Sequence, residues 1–182
     1  MQLPFLKKLP EPIQKFILRS ILVFIVWKLL YHLVLYPIRV PDEQLTHITA
    51  TITKELVQLN YPDKIIHVET IKHPQQKENI LMENKKIVGI ADGCNGLELY
   101  VLFVGFLFCF PASKKKFITY SLIGIALIFI ANTLRSYIIT LLNINGSSLS
   151  EVSHHYFFKL AIYAMMFFLW VKYTKSSLKN EE

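Results

Sequence analysis

The chain has 182 residues, of which 53% are hydrophobic, and it carries a formal net charge of +7. This hydrophobic content is above that of ordinary soluble domains, so it favours a membrane protein. The basic residues cluster beside apolar runs and do not alternate with aromatic residues, which argues against a nucleic-acid partner.

The first apolar segment, residues 16–36, is long enough to cross a hydrocarbon core of about 30 Å as a helix. Pro4, Pro10 and Pro12 precede it, and no small-residue cleavage site follows it. These features differ from those of a cleaved signal peptide. We therefore predict a retained membrane anchor, with residues 1–15 on its cytoplasmic side.

The chain becomes polar over residues 37–92. Residues 42–60 place apolar side chains at helical spacing, which predicts an amphipathic helix. The stretch KIIHVETI alternates weakly between apolar and polar residues, and ILMENKKIVGI predicts two short strands joined at Glu83-Asn84-Lys85-Lys86. The region is therefore expected to form a small soluble cap of mixed α and β structure.

Three further apolar segments follow, at residues 95–111, 117–142 and 156–172. A basic loop at 112–116 separates the first two, and a polar loop at 143–153 separates the last two. The predicted fold is an all-α polytopic membrane protein with about four transmembrane helices. Its α+β cap lies between the first and second helices, on the extracytoplasmic side.

The orientation follows from lysine and arginine in the short flanks of the spans, since these residues stay in the cytoplasm. With four spans, three basic clusters fall on one side. Residues 37–92 carry seven basic and eight acidic residues, and residues 143–153 carry no lysine or arginine. Both termini, including the tail 173–182, are therefore predicted to be cytoplasmic. The basic clusters comprise Lys7, Lys8, Lys15 and Arg19; Lys114, Lys115 and Lys116; and Lys172, Lys175 and Lys179.

This topology brings three chemically useful side chains to the outer ends of the spans. Cys94 opens the second span, Arg135 lies in the outer third of the third span, and His154 and His155 open the fourth. An ionisable residue at membrane depth is by default a candidate functional residue, because it is costly to bury without a partner. The three positions are therefore predicted to form one site.

Cys94 follows Gly93 at the predicted start of a helix, where free N–H groups and the helix dipole favour a thiolate. The alternative is that the cysteine packs as a small apolar residue, which is our interpretation of Cys109. Fifteen residues in one helix correspond to about 22 Å of rise, so the two cysteines cannot form a disulfide.

Arg135 and Asn132 are three residues apart, so they share a helix face and can bind a common partner. Arg135 can stabilise the oxyanion of a tetrahedral intermediate or hold a substrate carbonyl. It can alternatively extend to the outer lipid headgroups. Either histidine can act as general base and general acid near neutral pH, or merely cap a helix in contact with water.

Three ordered blocks of this sequence resemble the exosortase and archaeosortase family of integral-membrane transpeptidases. They are ADGCNGLELY, ANTLRSYIIT and SHHYFFK. In that family a cysteine, an arginine and a histidine in this order form the proposed catalytic triad at the outer face. The resemblance implies catalytic roles for Cys94, Arg135 and His154 (His155 being the alternative), with Asn132 and Asn95 in support.

The resemblance is closest to the short Bacteroidetes-type members, often called exosortase F, and its motifs cover residues 65–172. It implies a cysteine peptidase or transpeptidase of the bacterial inner membrane. Its substrates would be exported proteins with a C-terminal transmembrane sorting tail, cleaved just outside the membrane. An amine on a lipid or glycan, or water, would then resolve the thioester. Typical exosortases have more spans, which leaves room for a partner protein.

Two other classes of function compete with this one. The first is a non-enzymatic membrane subunit of an export or polysaccharide assembly system. The second, a metal-dependent intramembrane protease, is disfavoured because no span carries an HExxH motif or paired carboxylates. His47, His67 and His73 also lack ligand-like spacing. No cofactor, metal or nucleic-acid partner is predicted.

Overall fold

The computed structural model describes residues 10–71, 77–110, 112–146 and 158–178. These residues form five helices and one three-stranded sheet. The helices are α1 (Glu11–Leu30), α2 (Asp42–Asn60), α3 (Leu97–Cys109), α4 (Lys114–Ile144) and α5 (Phe158–Leu178), and the strands are β1 (Ile66–Ile71), β2 (Lys77–Met82) and β3 (Lys85–Ala91).

Helix α1 continues beyond Leu30 with π-type hydrogen bonding and returns to α geometry over Tyr36–Ile38. The helical backbone ends at Arg39, whose φ of 54° is the left-handed conformation that commonly terminates a helix. Many of its apolar side chains are exposed, with Leu22 and Leu33 exposed by 62% and 73%. A long helix with apolar residues on its exposed surface is suited to contact with lipid.

Two helices are long and apolar enough to cross a membrane, namely Ile13–Ile38 and Lys114–Ile144. Helix α3 is apolar but has only 13 residues. Helix α5 contains Lys159, Lys172 and Lys175, which lower its mean hydropathy. The described residues therefore contain two candidate spans, and the four-span topology stays a prediction that would also count α3 and α5.

Helices α3, α4 and α5 share one apolar core, which includes Phe103, Leu107, Ile128 and Tyr173. The Tyr173 hydroxyl donates a hydrogen bond of 3.1 Å to the carbonyl of Leu107, so it is paired despite its burial. Gly124 lets α3 approach α4 closely, because a Cβ atom at this position would lie 1.8 Å from Phe103 Cε1. Small residues at such contacts allow helix backbones to approach closely in membranes.

The three strands form an antiparallel sheet in the order β1-β2-β3. Strands β2 and β3 are joined at Glu83 and Asn84, whose φ values of 51° and 65° are those of the tight turn preferred in hairpins. The predicted hairpin and the amphipathic helix 42–60 are both confirmed. We call α2 and the sheet the α+β unit; its buried apolar residues are Ala50, Val57, Ile66, Ile80 and Ile90.

The C-terminal turns of α4 lie against the α+β unit. Tyr137 and Ile144 pack on the apolar core of that unit, and Asn143 Nδ2 donates a hydrogen bond of 3.1 Å to the carbonyl of Ile87 in β3. Because β3 leads directly into the loop that contains Cys94, this contact places Cys94 and the C-terminal part of α4 at the same level.

Candidate active site

Cys94 lies in a single 3-10 turn, Asp92–Cys94, between β3 and α3. Helix α3 begins only at Leu97, after Gly96, whose φ of 90° interrupts the helical backbone. The prediction that Cys94 opens the helix is therefore wrong by three residues. The Cys94 thiol therefore lies before the N-terminus of α3. Its surroundings are set by side chains of other elements, described next, more than by the dipole of this helix.

Arg135 and Cys94 are in contact. Arg135 Nη2 lies 3.7 Å from Cys94 Sγ, and both belong to regions shielded from solvent, Arg135 being buried and Cys94 half-buried. A guanidinium next to a sulfur is one of the environments that stabilise a thiolate. The structure thus brings together two of the three residues that the sequence singled out, although 41 positions separate them.

Asn132 holds both of these residues at once. Its Nδ2 donates a hydrogen bond of 2.8 Å to the Cys94 carbonyl, and its Oδ1 accepts one of 3.1 Å from Arg135 Nη1. The expectation that Asn132 and Arg135 bind a common partner agrees with this geometry, since both contact Cys94. Because the Asn132 side chain bonds to both the Cys94 carbonyl and the Arg135 guanidinium, it fixes Arg135 relative to the Cys94 turn.

Asn95 anchors the other side of the turn. Its Nδ2 donates a hydrogen bond of 2.7 Å to Asp42 Oδ1, and its Oδ1 accepts one of 2.9 Å from the backbone N–H of Leu97. The first N–H of α3 is thereby satisfied, and the turn is tied to the first residue of α2. Asn95 is 1% exposed. It supports the turn from inside the protein.

Asp92, two residues before Cys94, forms a largely buried ion pair with Arg39. Arg39 Nε lies 2.9 Å from Asp92 Oδ2 and Arg39 Nη2 lies 3.0 Å from Asp92 Oδ1, which makes the contact two-pronged. Thr46 donates a third hydrogen bond of 2.8 Å to Asp92 Oδ1. Hydrogen bonding to Asp92 raises the pKa of Arg39, which keeps the guanidinium charged.

His154 and His155 lie outside the described residues, so the structure does not place them. Within the four described segments, no group of three or more histidine, cysteine or acidic side chains could hold a metal ion. The part of the site that can be described therefore consists of Cys94, Arg135 and Asn132 with the anchored turn.

A cavity of about 730 Å³ opens in front of Cys94. It runs between α1 and α3, from polar groups at the level of Cys94 to apolar side chains near the opposite ends of these helices, and α5 borders it. The lining includes Cys94, Asn132, Arg135 and Asp42 at one end and Phe16, Phe106 and Cys109 at the other. A pocket of this size and polarity suits an apolar ligand with one reactive polar group.

The fold and the site define the class: a mostly helical membrane protein with a cysteine and an arginine paired beside an apolar cavity. The family model described as transmembrane exosortase matches residues 15–171. The chain therefore belongs to the transmembrane exosortase family. A search of curated proteins found no match, and neither did a search of solved structures.

Sequence reasoning missed the anchoring contacts of Arg39, Asp42 and Thr46. These residues lie 46 to 53 positions from their partners at 92 and 95. No local motif indicates such contacts. The sequence offers only two hints: Arg39 follows the first apolar segment closely, and Asp92 precedes Cys94 by two residues.

Proposed function

We propose that this chain is a membrane cysteine transpeptidase or protease that cleaves C-terminal sorting tails of exported proteins. The observation that carries the proposal is the contact between Arg135 Nη2 and Cys94 Sγ, 3.7 Å apart, at the end of a cavity between helices of a transmembrane exosortase. The enzyme would work at the outer face of the bacterial inner membrane, and the subtype that fits best is the short exosortase F.

The reaction begins with attack of the Cys94 thiolate on the scissile carbonyl carbon. A C–S bond forms, the carbonyl oxygen becomes an oxyanion, and collapse of this intermediate breaks the C–N bond. The tail leaves as an amine after it accepts a proton from His154, or from His155 in the alternative assignment. An amine on a lipid or glycan, or water, then attacks the thioester. The same histidine takes up the proton of this nucleophile, the C–S bond breaks, and Cys94 leaves as thiolate.

Arg135 has two roles in this sequence. In the free enzyme its positive charge stabilises the thiolate, and during the reaction it donates to the oxyanion that forms next to the sulfur. Asn132 fixes the guanidinium through the 3.1 Å hydrogen bond to Arg135 Nη1. A donor that is already oriented needs little reorganisation when the charge develops, which is the main electrostatic advantage of such a site.

The cavity supports a substrate that is embedded in the membrane. Its apolar walls come from α1 and α3, and Cys94 and Arg135 lie at one end only. If the transmembrane segment of the substrate lay along these walls, the peptide bond just beyond the end of that segment would lie next to the Cys94 thiol. The α+β unit would then form the extracytoplasmic cap, with both chain termini in the cytoplasm.

The test is removal of the tail from a co-expressed tailed protein. We expect Cys94→Ala to abolish cleavage, and Cys94→Ser to reduce it strongly because a serine hydroxyl is a weaker nucleophile at neutral pH. Cys109→Ala is the matched control, since Cys109 is the other cysteine and lies, buried, at the far end of the cavity from Cys94. Full processing by Cys94→Ala would rule out the mechanism and favour a non-enzymatic membrane subunit.

A further inference from the structure

The turn that carries Cys94 is anchored on both flanks, by Arg39, which precedes α2, and by Asp42 and Thr46 in the first turns of α2. Asp92, two residues before the cysteine, is bound by Arg39 and Thr46, and Asn95, the next residue, is bound by Asp42. The cysteine itself is bound by α4 through Asn132 and Arg135. The turn is therefore held between two separate parts of the fold.

The Arg39–Asp92 ion pair is shielded from solvent. The side chains are 11% and 10% exposed, respectively, and the two hydrogen bonds between them have ideal lengths. A buried pair of this kind is costly to break, because removal of one partner leaves the other charge uncompensated. Here the charge left behind would be a carboxylate two residues before the thiol.

We propose that Arg39 is a positioning residue for Cys94, acting through Asp92: it fixes the cysteine turn and neutralises the carboxylate nearest to the thiol in sequence. The inference rests on the proposed function, in which Cys94 reacts as a thiolate. A carboxylate without its partner would oppose the thiolate and compete for Arg135. Arg39 thus keeps the Asp92 carboxylate from pairing with Arg135.

Other charged and titratable groups surround the same cavity, and each neighbouring helix contributes at least one. Glu43 and Glu78 also act on Arg39, although Asp92 has the largest effect. Among the described residues, the charged and titratable groups that line the cavity with Cys94 are Lys28 and Tyr31 on α1 or its continuation, Asp42 on α2, Glu98 and Cys109 on α3, Arg135 on α4, Lys159 and Tyr163 on α5, and Asp92 in the turn itself.

The test measures alkylation of Cys94 by iodoacetamide as a function of pH, in the purified full-length protein with Cys109→Ala. For Arg39→Gln we expect the rate at neutral pH to fall about tenfold and the midpoint of the profile to move up by about one pH unit. Arg39→Gln combined with Asp92→Asn removes both charges, so its midpoint should return close to that of the parent. Lys64→Gln is the matched control, because Lys64 forms an ion pair with Glu83 that is exposed.

An unchanged midpoint in Arg39→Gln would overturn the proposal, and so would a double variant that stays as displaced as Arg39→Gln. If Arg39→Gln does not accumulate in the membrane, Arg39→Lys serves instead. It keeps the charge but cannot make the two-pronged contact. For Arg39→Lys we expect the midpoint of the alkylation profile to stay unchanged, and tail cleavage to show a lower kcat with an unchanged KM. A displaced midpoint, or a change in KM alone, would contradict the positioning role of Arg39.

The alkylation assay does not depend on cleavage, so the two proposals can fail separately. Complete tail removal by Cys94→Ala would defeat the proposed function whatever the Arg39 variants show. If Cys94→Ala abolishes tail cleavage but the Arg39 variants match the parent protein in both assays, only the positioning role is defeated.

Discussion

The guanidinium of Arg135 contacts the sulfur of Cys94 through Nη2 at 3.7 Å, while Nη1 is held by Asn132 at 3.1 Å. One end of the planar group is thus fixed by the protein, and the other faces the reactive atom. An arginine can divide its donors in this way because they form a rigid fork, whereas a lysine ammonium cannot.

Arg135→Lys should therefore reduce kcat for tail cleavage by about 100-fold or more, since one oriented donor to an oxyanion is worth about this much. The measurement is steady-state cleavage of a tailed substrate in detergent or vesicles. Ser136→Ala is the matched control, because among the described residues the Ser136 hydroxyl donates only to the backbone carbonyl of Asn132 in its own helix. A lysine variant with the parent kcat would contradict the role of the guanidinium.

Asn132 can be tested by two substitutions that remove different contacts. Asn132→Asp keeps an acceptor for Arg135 but loses the donor to the Cys94 carbonyl, whereas Asn132→Ala loses both. We expect Asn132→Ala to lower the free energy of unfolding by about 1–3 kcal/mol, the usual effect of an unsatisfied buried group. Thermal unfolding in detergent and tail cleavage are the measurements. Equal activity in Asn132→Ala and the parent would exclude an orienting role.

Gly124→Ala tests the contact between α3 and α4. The new methyl group would overlap the ring of Phe103, which is fully buried and cannot move without displacing its neighbours. We expect a loss of about 1–3 kcal/mol in stability, measured as a lower Tm. Gly105→Ala is a milder control, since its Cβ would lie 3.2 Å from Val23 Cγ1, a contact that a shift of a few tenths of an ångström would relieve. Equal Tm values for both variants would argue against this helix contact.

The predicted orientation can be tested with single cysteines in a chain that lacks Cys94 and Cys109. Lys85→Cys lies in the β2–β3 hairpin region, and Lys115→Cys lies in the first turn of α4. An impermeant maleimide should label position 85 from outside and position 115 only after lysis, because the basic loop is retained in the cytoplasm. Labelling of both positions from the same side would contradict the topology.

A large part of the architecture could be predicted because its signals are local. The amphipathic helix 42–60 and the hairpin at Glu83 and Asn84 depend on the spacing of apolar residues and on turn residues that tolerate positive φ. The candidate spans depend on the length of apolar runs. The choice of Cys94 and Arg135 came from ordered motifs and from their position at the ends of those runs.

Only the tertiary structure decided how the cysteine is held. The start of α3 moved to Leu97 because Gly96 adopts a left-handed backbone, a choice that composition does not predict. The partners of Asp92 and Asn95 come from segments 46 to 53 positions away, and they become neighbours only when α2 packs beside the turn. Apolar periodicity determines which segments fold and which faces they bury, whereas hydrogen-bond partners across such distances depend on how those faces meet.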